Sequence, residues 1–106
     1  MKITYELENI IENITTLTPS EIIKKIDEFL SSTKSFYGKY SVDLNTLYCG
    51  PKIYKYIQMS SKYKVENNEN NLEFPVLFGT WSNEEKQISL YLSPDKCKDG
   101  EFIIES

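Results

Sequence analysis

The sequence predicts an α+β domain, with two N-terminal helices followed by a β-α-β-β-β segment whose sheet is small and mostly antiparallel. Three observations predict this class. Apolar residues recur with helical spacing over residues 1–32. From Phe74 onward, apolar and polar residues alternate, as they do in strands with one buried face. The 106 residues are 40 % hydrophobic, which suits a single domain that spans residues 1–106 and has its own core.

The two N-terminal helices are expected to form a helical hairpin over residues 1–33. The first carries an apolar stripe at positions i, i+3, i+4 and i+7, formed by Leu7, Ile10, Ile11 and Ile14. It is expected to end near residue 16. The second begins at Thr18-Pro19-Ser20-Glu21, which supplies an N-cap hydroxyl, a first-turn proline and a capping-box glutamate. Residues 31–33 are expected to end it.

Residues 44–106 are expected to form the β-α-β-β-β segment. The apolar run from Leu44 to Cys49 is typical of a strand, and Gly50-Pro51 leads into a helix that fades near Tyr63. Three more strands are predicted at 74–81, 88–92 and 102–104. Between the helix and these strands, residues 66–73 are rich in Asn and Glu and are expected to form a mobile polar loop.

The chain contains no histidine, and all twelve of its cationic side chains are lysines. Imidazole is the usual proton carrier and metal ligand near neutral pH, and guanidinium is the usual bidentate partner of phosphate and carboxylate. A chain without either is more suited to binding than to catalysis. We therefore expect no enzymatic activity and no catalytic residues.

The two cysteines are the soft nucleophiles of the chain. Cys49 lies at a predicted strand end next to a helix start, where a helix dipole favours thiolate, but the histidine base that usually accompanies a nucleophilic cysteine is absent. We expect Cys49 to be buried in the core. Cys97 lies in a polar turn between Lys96 and Lys98, which would lower its pKa, and we expect an exposed thiol without a role.

We expect no metal site and no cofactor. Two cysteines with 47 residues between them cannot complete a structural zinc site without carboxylates. Asp95, Asp99 and Glu101 are close in sequence, but the spacing of a calcium-binding EF-hand is absent. A solvated turn explains these carboxylates better.

The central block is the strongest positive feature. Residues 34–64 carry six lysines and one acid, whereas both flanks are acidic and the whole chain has a net charge of −4. Tyrosines are interleaved with these lysines, and aromatic side chains are enriched at the centres of protein interfaces. The candidate partner-binding residues are Tyr37, Tyr40, Tyr54, Tyr56, Tyr63, Lys39, Lys52 and Lys55.

We therefore expect a protein-binding module that acts as an inhibitor, immunity protein or anti-defence protein of a phage or mobile element, and occludes a partner surface. One alternative is a virion-associated structural protein. A second is a single-stranded nucleic-acid binder, since lysines and aromatic rings together hold such strands. The N-terminus reads Met1-Lys2-Ile3-Thr4-Tyr5-Glu6, where an acidic residue comes too early for a secretory signal, and no apolar run approaches the roughly 18 residues of a membrane span. We expect a cytoplasmic protein without a membrane partner, or one carried in the virion.

Part of the chain resembles a segment of tailed-phage major capsid proteins. The resemblance covers residues 44–105 and rests on the run 45–54, on Phe74 to Thr80, and on the Pro/Asp/Gly turn before Phe102-Ile103-Ile104. In those proteins a strand leads through a proline into a helix, and further strands follow. The resemblance implies a virion-associated or accessory phage protein and carries over no catalytic residue.

Overall fold

A computed structural model of the protein describes residues 1–59, 64–65, 74–83 and 86–106. The predicted α+β class is confirmed. The strands are β1 (Lys2–Glu6), β2 (Thr46–Cys49), β3 (Lys64–Val65), β4 (Val76–Asn83), β5 (Lys86–Leu92) and β6 (Glu101–Glu105). The helices are α1 (Leu7–Ile10), α2 (Pro19–Gly38) and α3 (Pro51–Gln58), with a 3-10 turn at Ile14–Thr16. The predicted loop 66–73 lies outside the described residues.

The strands form one mixed sheet in the order β1-β6-β2-β5-β4-β3. Of the neighbouring pairs in the described chain, β2 and β5 run parallel and the other four pairs run antiparallel. The C-terminal strand β6 lies between β1 and β2, so residues distant in sequence meet in the middle of the sheet. This order brings Tyr48 of β2 opposite Tyr91 of β5.

The predicted helical hairpin at residues 1–33 is wrong. Residues 2–6 form a strand that pairs with β6, and the apolar stripe that follows makes only one α-helical turn before Ile11 adopts an extended backbone. Leu7 and Ile11 are nevertheless buried, as the stripe predicts. The helix begins only at Leu7, whose N–H donates to the Gly100 carbonyl (2.8 Å) and so extends the bonding of β1 to the chain before β6 by one residue.

The second predicted helix begins where expected and ends later. Its capping box is present, since the Thr18 hydroxyl accepts from the Glu21 N–H and the Glu21 carboxylate accepts from the Thr18 N–H. The expected end at residues 31–33 is wrong, because α2 continues to Gly38. Thr33 is buried there and Lys34 donates to the Leu44 carbonyl and to the Gln87 carbonyl of β5, so tertiary contacts override the low helix propensity of this polar stretch.

The core lies between one face of the sheet and the helices α2 and α3. Buried side chains of α2 and α3 belong to one cluster with buried side chains of β2, β4, β5 and β6. Trp81 is the largest of the fully buried side chains, and its indole N–H donates to the Asp27 carboxylate (2.7 Å). Of the described helices, none is long and apolar enough to cross a membrane.

Candidate functional site

Both thiols are buried, so neither is a ready nucleophile. Cys49 is fully buried, as predicted, and burial raises its pKa. The predicted exposure of Cys97 is wrong: the side chain is 2 % exposed and its thiol lies 3.4 Å from the Tyr48 carbonyl, to which it donates. Burial, followed by the charge of Glu101, raises the pKa of Cys97 to about 11, whereas the neighbouring lysines predict a lower value.

The turn at residues 98–101 is packed against the start of α3. A Cβ on Gly50 would lie 1.9 Å from the Lys98 carbonyl oxygen, so glycine is required by close approach of the two backbones. The Lys52 N–H donates to the Asp99 carbonyl (3.1 Å). The turn thus supplies the acceptor for one of the N–H groups at the start of α3.

In the last turn, the Asp95 carboxylate makes a hydrogen bond within the turn itself. Asp95 accepts a hydrogen bond from the Ser93 hydroxyl (2.7 Å), and this bond lowers the pKa of Asp95. Within the described part of the chain, no group of three or more Cys, Asp or Glu side chains is placed to hold a metal ion.

The predicted partner-binding residues lie on two helices. At the end of α2, Tyr37 is half-buried against the core, whereas Lys39 and Tyr40 are exposed. On α3, Lys52 lies 3.9 Å from the Glu8 carboxylate and Lys55 is exposed.

The α3 tyrosines are packed against the core. Tyr54 is half-buried, its ring meets Phe78 edge-on at 4.7 Å, and its hydroxyl accepts a hydrogen bond from Gln58. Tyr56 is half-buried as well, and Tyr63 lies outside the described residues. Of the predicted tyrosines that the structure describes, Tyr40 is the one that presents most of its surface to solvent.

An exposed aromatic cluster forms at the C-terminal end of α2 and consists of Phe36, Tyr37 and Tyr40. Phe36 is 52 % exposed and Tyr40 is 67 % exposed. The Phe36 ring meets Tyr37 edge-on at 5.1 Å and lies 5.5 Å from the Tyr40 ring. Two large apolar rings are thus held together at the surface on a half-buried third ring.

A second group of aromatic rings lies on the sheet face opposite the core. Tyr48 and Tyr91 are cross-strand neighbours with ring centroids 5.4 Å apart. The Lys96 ammonium lies over the Tyr48 ring at 4.2 Å, and burial together with a hydrogen bond to the Glu105 carboxylate raises the Tyr48 pKa. One face of the Tyr48 ring is thus already covered by a cation of the same chain.

Phe36, Tyr48 and Tyr91 are absent from the predicted site. Tyr40 follows Phe36 by four residues, and this i, i+4 spacing places the two rings together if the helix continues to Gly38. The sequence-based end of α2 at residue 33 removes that signal. Tyr48 and Tyr91 meet only through the parallel pairing of β2 with β5, which no local pattern reports.

Comparison with protein-family models, with curated proteins and with solved structures gives no match. The resemblance of residues 44–105 to phage capsid proteins stays a prediction.

Proposed function

We propose that this protein is a non-enzymatic binding module that recognises a protein partner and occludes its surface, as inhibitors, immunity proteins and anti-defence proteins of phages and mobile elements do. The binding surface is the aromatic cluster of Phe36, Tyr37 and Tyr40. The main support is that Phe36, 52 % exposed, and Tyr40, 67 % exposed, lie side by side on the surface. We propose that it acts in the cytoplasm of the host cell.

Exposed aromatic rings favour a binding role because they offer a large apolar area with little conformational freedom. Side chains of this kind supply much of the binding free energy at the centres of protein interfaces. Water solvates the faces of Phe36 and Tyr40 poorly, and a partner pocket that covers them gains the corresponding transfer free energy.

Backbone hydrogen bonds within the protein hold the turn that carries the cluster. The Tyr40 N–H donates to the Tyr37 carbonyl (3.0 Å), and the Val42 N–H donates to the same carbonyl (3.1 Å). The Ser41 N–H donates to the Gly38 carbonyl (3.1 Å). A surface held in its binding conformation loses less entropy on association, which supports tight binding to one target.

The chemistry of the two sulfurs agrees with a binding role. Both Cys49 and Cys97 are buried and have raised pKa values, so they remain protonated at neutral pH. The net charge of −4 favours a partner whose surface is basic.

Single-stranded nucleic-acid binding is the second candidate, and the rings of Tyr48 and Tyr91 on the outer sheet face favour it. Stacked bases on exposed rings are the usual means of holding such strands. Against it, Lys96 already covers the Tyr48 ring, and Glu105 lies beside the hydroxyl. The virion-associated alternative predicts self-association into large assemblies.

The test is affinity capture from a lysate of the native host with three baits: the natural protein, Phe36→Ala/Tyr40→Ala, and the control Lys24→Ala/Glu28→Ala. The control changes an exposed i, i+4 pair on the same helix, away from the cluster. We expect a protein that the natural and control baits retain and the aromatic variant loses. Retention of the same proteins by all three baits, or of none, would contradict the proposal.

Purified protein also distinguishes the two alternatives. The main proposal predicts that light scattering detects no large assemblies and that a fluorescent oligothymidylate does not bind at low salt. Binding of that oligonucleotide with a steep salt dependence would favour the nucleic-acid candidate.

A further inference from the structure

The strand β1 lies at one end of the sheet and is hydrogen-bonded along one edge to β6. The two ends of this ladder fix which residues make the bonds. The Ser106 N–H donates to the Met1 carbonyl (3.1 Å), and the Leu7 N–H donates to the Gly100 carbonyl (2.8 Å). In an antiparallel strand, the backbone N–H and C=O groups of successive residues point alternately to the strand on one side and to the other side. Met1 and Leu7 bond toward β6, so the odd-numbered residues of β1 make the hydrogen bonds to β6.

The even-numbered residues therefore direct their backbone groups to the opposite edge. These are Lys2, Thr4 and Glu6, all with exposed side chains. No strand in the described part of the chain pairs with this edge. An edge on which Lys2 and Thr4 present N–H and C=O groups and Glu6, the N-cap of α1, presents its N–H is a template for another strand.

We propose that β1 pairs antiparallel with β1 of a second copy of this chain, centred on Thr4, and forms a twofold dimer with a continuous sheet. The charge pattern of the strand is self-complementary about that centre. Thr4 faces Thr4 of the second copy, and Lys2 faces Glu6 of the second copy on both sides of the axis. All three pairs use the even-numbered residues whose backbone groups point outward.

The apolar side chains of β1 support the same register. Ile3 and Tyr5 lie on the core face of the sheet but remain half-exposed because the sheet ends beside them. In the dimer Ile3 faces Tyr5 of the second copy. These are non-hydrogen-bonded pairs, in which side chains approach most closely, so both apolar groups become covered.

Other registers that also pair even-numbered residues with even-numbered residues lose the Lys2–Glu6 charge pairs. A pair centred on Ile3 places Lys2 opposite Thr4, and a pair centred on Tyr5 places Glu6 opposite Thr4. Neither brings opposite charges face to face, so the register centred on Thr4 is the favoured one.

The test measures the dimer dissociation constant by sedimentation equilibrium, over about 1 to 500 µM protein. The charge variants are Lys2→Glu, Glu6→Lys and the double swap Lys2→Glu/Glu6→Lys. The first makes the net charge more negative and the second makes it less negative, yet each places like charges opposite each other twice. We expect each single change to raise the dissociation constant about tenfold and the double swap to restore it.

Two further variants separate the effect of the outward edge of β1 from the effect of net charge. Thr4→Pro removes an outward N–H without touching a bond to β6 and should abolish the dimer, whereas Lys24→Glu changes the net charge as Lys2→Glu does and should leave it intact. Circular dichroism confirms that each variant is folded. A natural protein that stays monomeric over the whole range, or a double swap no better than the single changes, would overturn the proposal. This dimer does not depend on the aromatic cluster, so either proposal can fail without the other.

Discussion

The backbones of Gly50 and Lys98 approach so closely that a single methyl group on Gly50 would lie 1.9 Å from the Lys98 carbonyl oxygen. The Gly50 N–H also donates to the Glu101 carbonyl (3.0 Å). The junction between β2 and α3 is thus fixed directly against the turn before β6. Two segments about 50 positions apart in the sequence are joined at this point.

Gly50→Ala should destabilise the protein by about 2 kcal/mol, because the obstructing atom belongs to the backbone and one of the two segments must shift. Gly38→Ala is the matched control, since no atom lies within 4 Å of the position of its added Cβ. That change should leave stability unchanged or raise it slightly. Urea unfolding of the two variants measures the difference, and equal effects would contradict the close approach.

The buried hydrogen bond between Trp81 and Asp27 gives a second prediction. Asp27→Ala should lower the free energy of unfolding by about 1 to 3 kcal/mol, because it leaves the buried indole N–H without its acceptor. Asp27→Asn keeps an acceptor oxygen in place and should cost less. Trp81 is the one tryptophan of the chain, so its fluorescence reports both the unfolding and any change in its surroundings.

The Lys34 ammonium makes two bonds that an alkyl chain cannot replace. It donates to the Leu44 and Gln87 carbonyls, 3.0 and 2.6 Å away, and lies 3.2 Å from the Asp43 carboxylate. Lys34→Met should cost about 1 to 3 kcal/mol because both carbonyls lose their donor. Asp43→Asn should cost less than about 1 kcal/mol, since that carboxylate is 75 % exposed. Thermal unfolding would contradict this ranking if Asp43→Asn were the more damaging change.

The raised pKa of Cys97 makes stability depend on alkaline pH. The folded thiol holds its proton up to about pH 11, whereas an unfolded thiol releases it near pH 9. The unfolded state therefore binds fewer protons between these values, and the free energy of unfolding should fall as pH rises from 9 to 11. Cys97→Ser should make the free energy of unfolding fall less steeply with pH. The remaining fall should come from Cys49, Tyr5 and Tyr48, whose pKa values are also raised in the folded protein.

The same burial can be checked at neutral pH with a thiol reagent. Both cysteines should react with Ellman's reagent in urea and only slowly in the folded protein. Rapid reaction of either thiol in the folded protein would contradict this burial.

Local patterns predicted the second half of the fold well. Strands lie near the predicted 44–49, 74–81, 88–92 and 102–104, and a helix begins at Pro51, because turn residues and alternation mark their limits. The predicted β-α-β-β-β order is incomplete, since the short strand β3 lies between α3 and β4, and α3 ends at Gln58 and not near Tyr63. The N-terminal half was less predictable. The apolar stripe of residues 7–14 is real, but pairing of residues 2–6 with β6 decides the local structure, and no local pattern reports a contact about 100 residues away.

Which of the candidate site residues are exposed was predictable only in part, for the same reason. Tyr40 and Lys39 are exposed as a binding surface requires, whereas Tyr54 and Tyr56 pack against the core. Spacing alone does not distinguish these cases, because a tyrosine on an amphipathic helix can lie at the margin of the core. Predicting Phe36 requires knowing that α2 continues past residue 33, where Lys34 donates to the Leu44 and Gln87 carbonyls, 10 and 53 positions along the chain.

The central claim is that binding proceeds through the aromatic cluster. The most direct measurement is titration calorimetry of the captured partner with the natural protein, with Phe36→Ala/Tyr40→Ala and with Lys24→Ala/Glu28→Ala. We expect the dissociation constant to rise at least about 100-fold for the aromatic variant and to stay unchanged for the control. Equal affinity for the aromatic variant and the natural protein would contradict the claim.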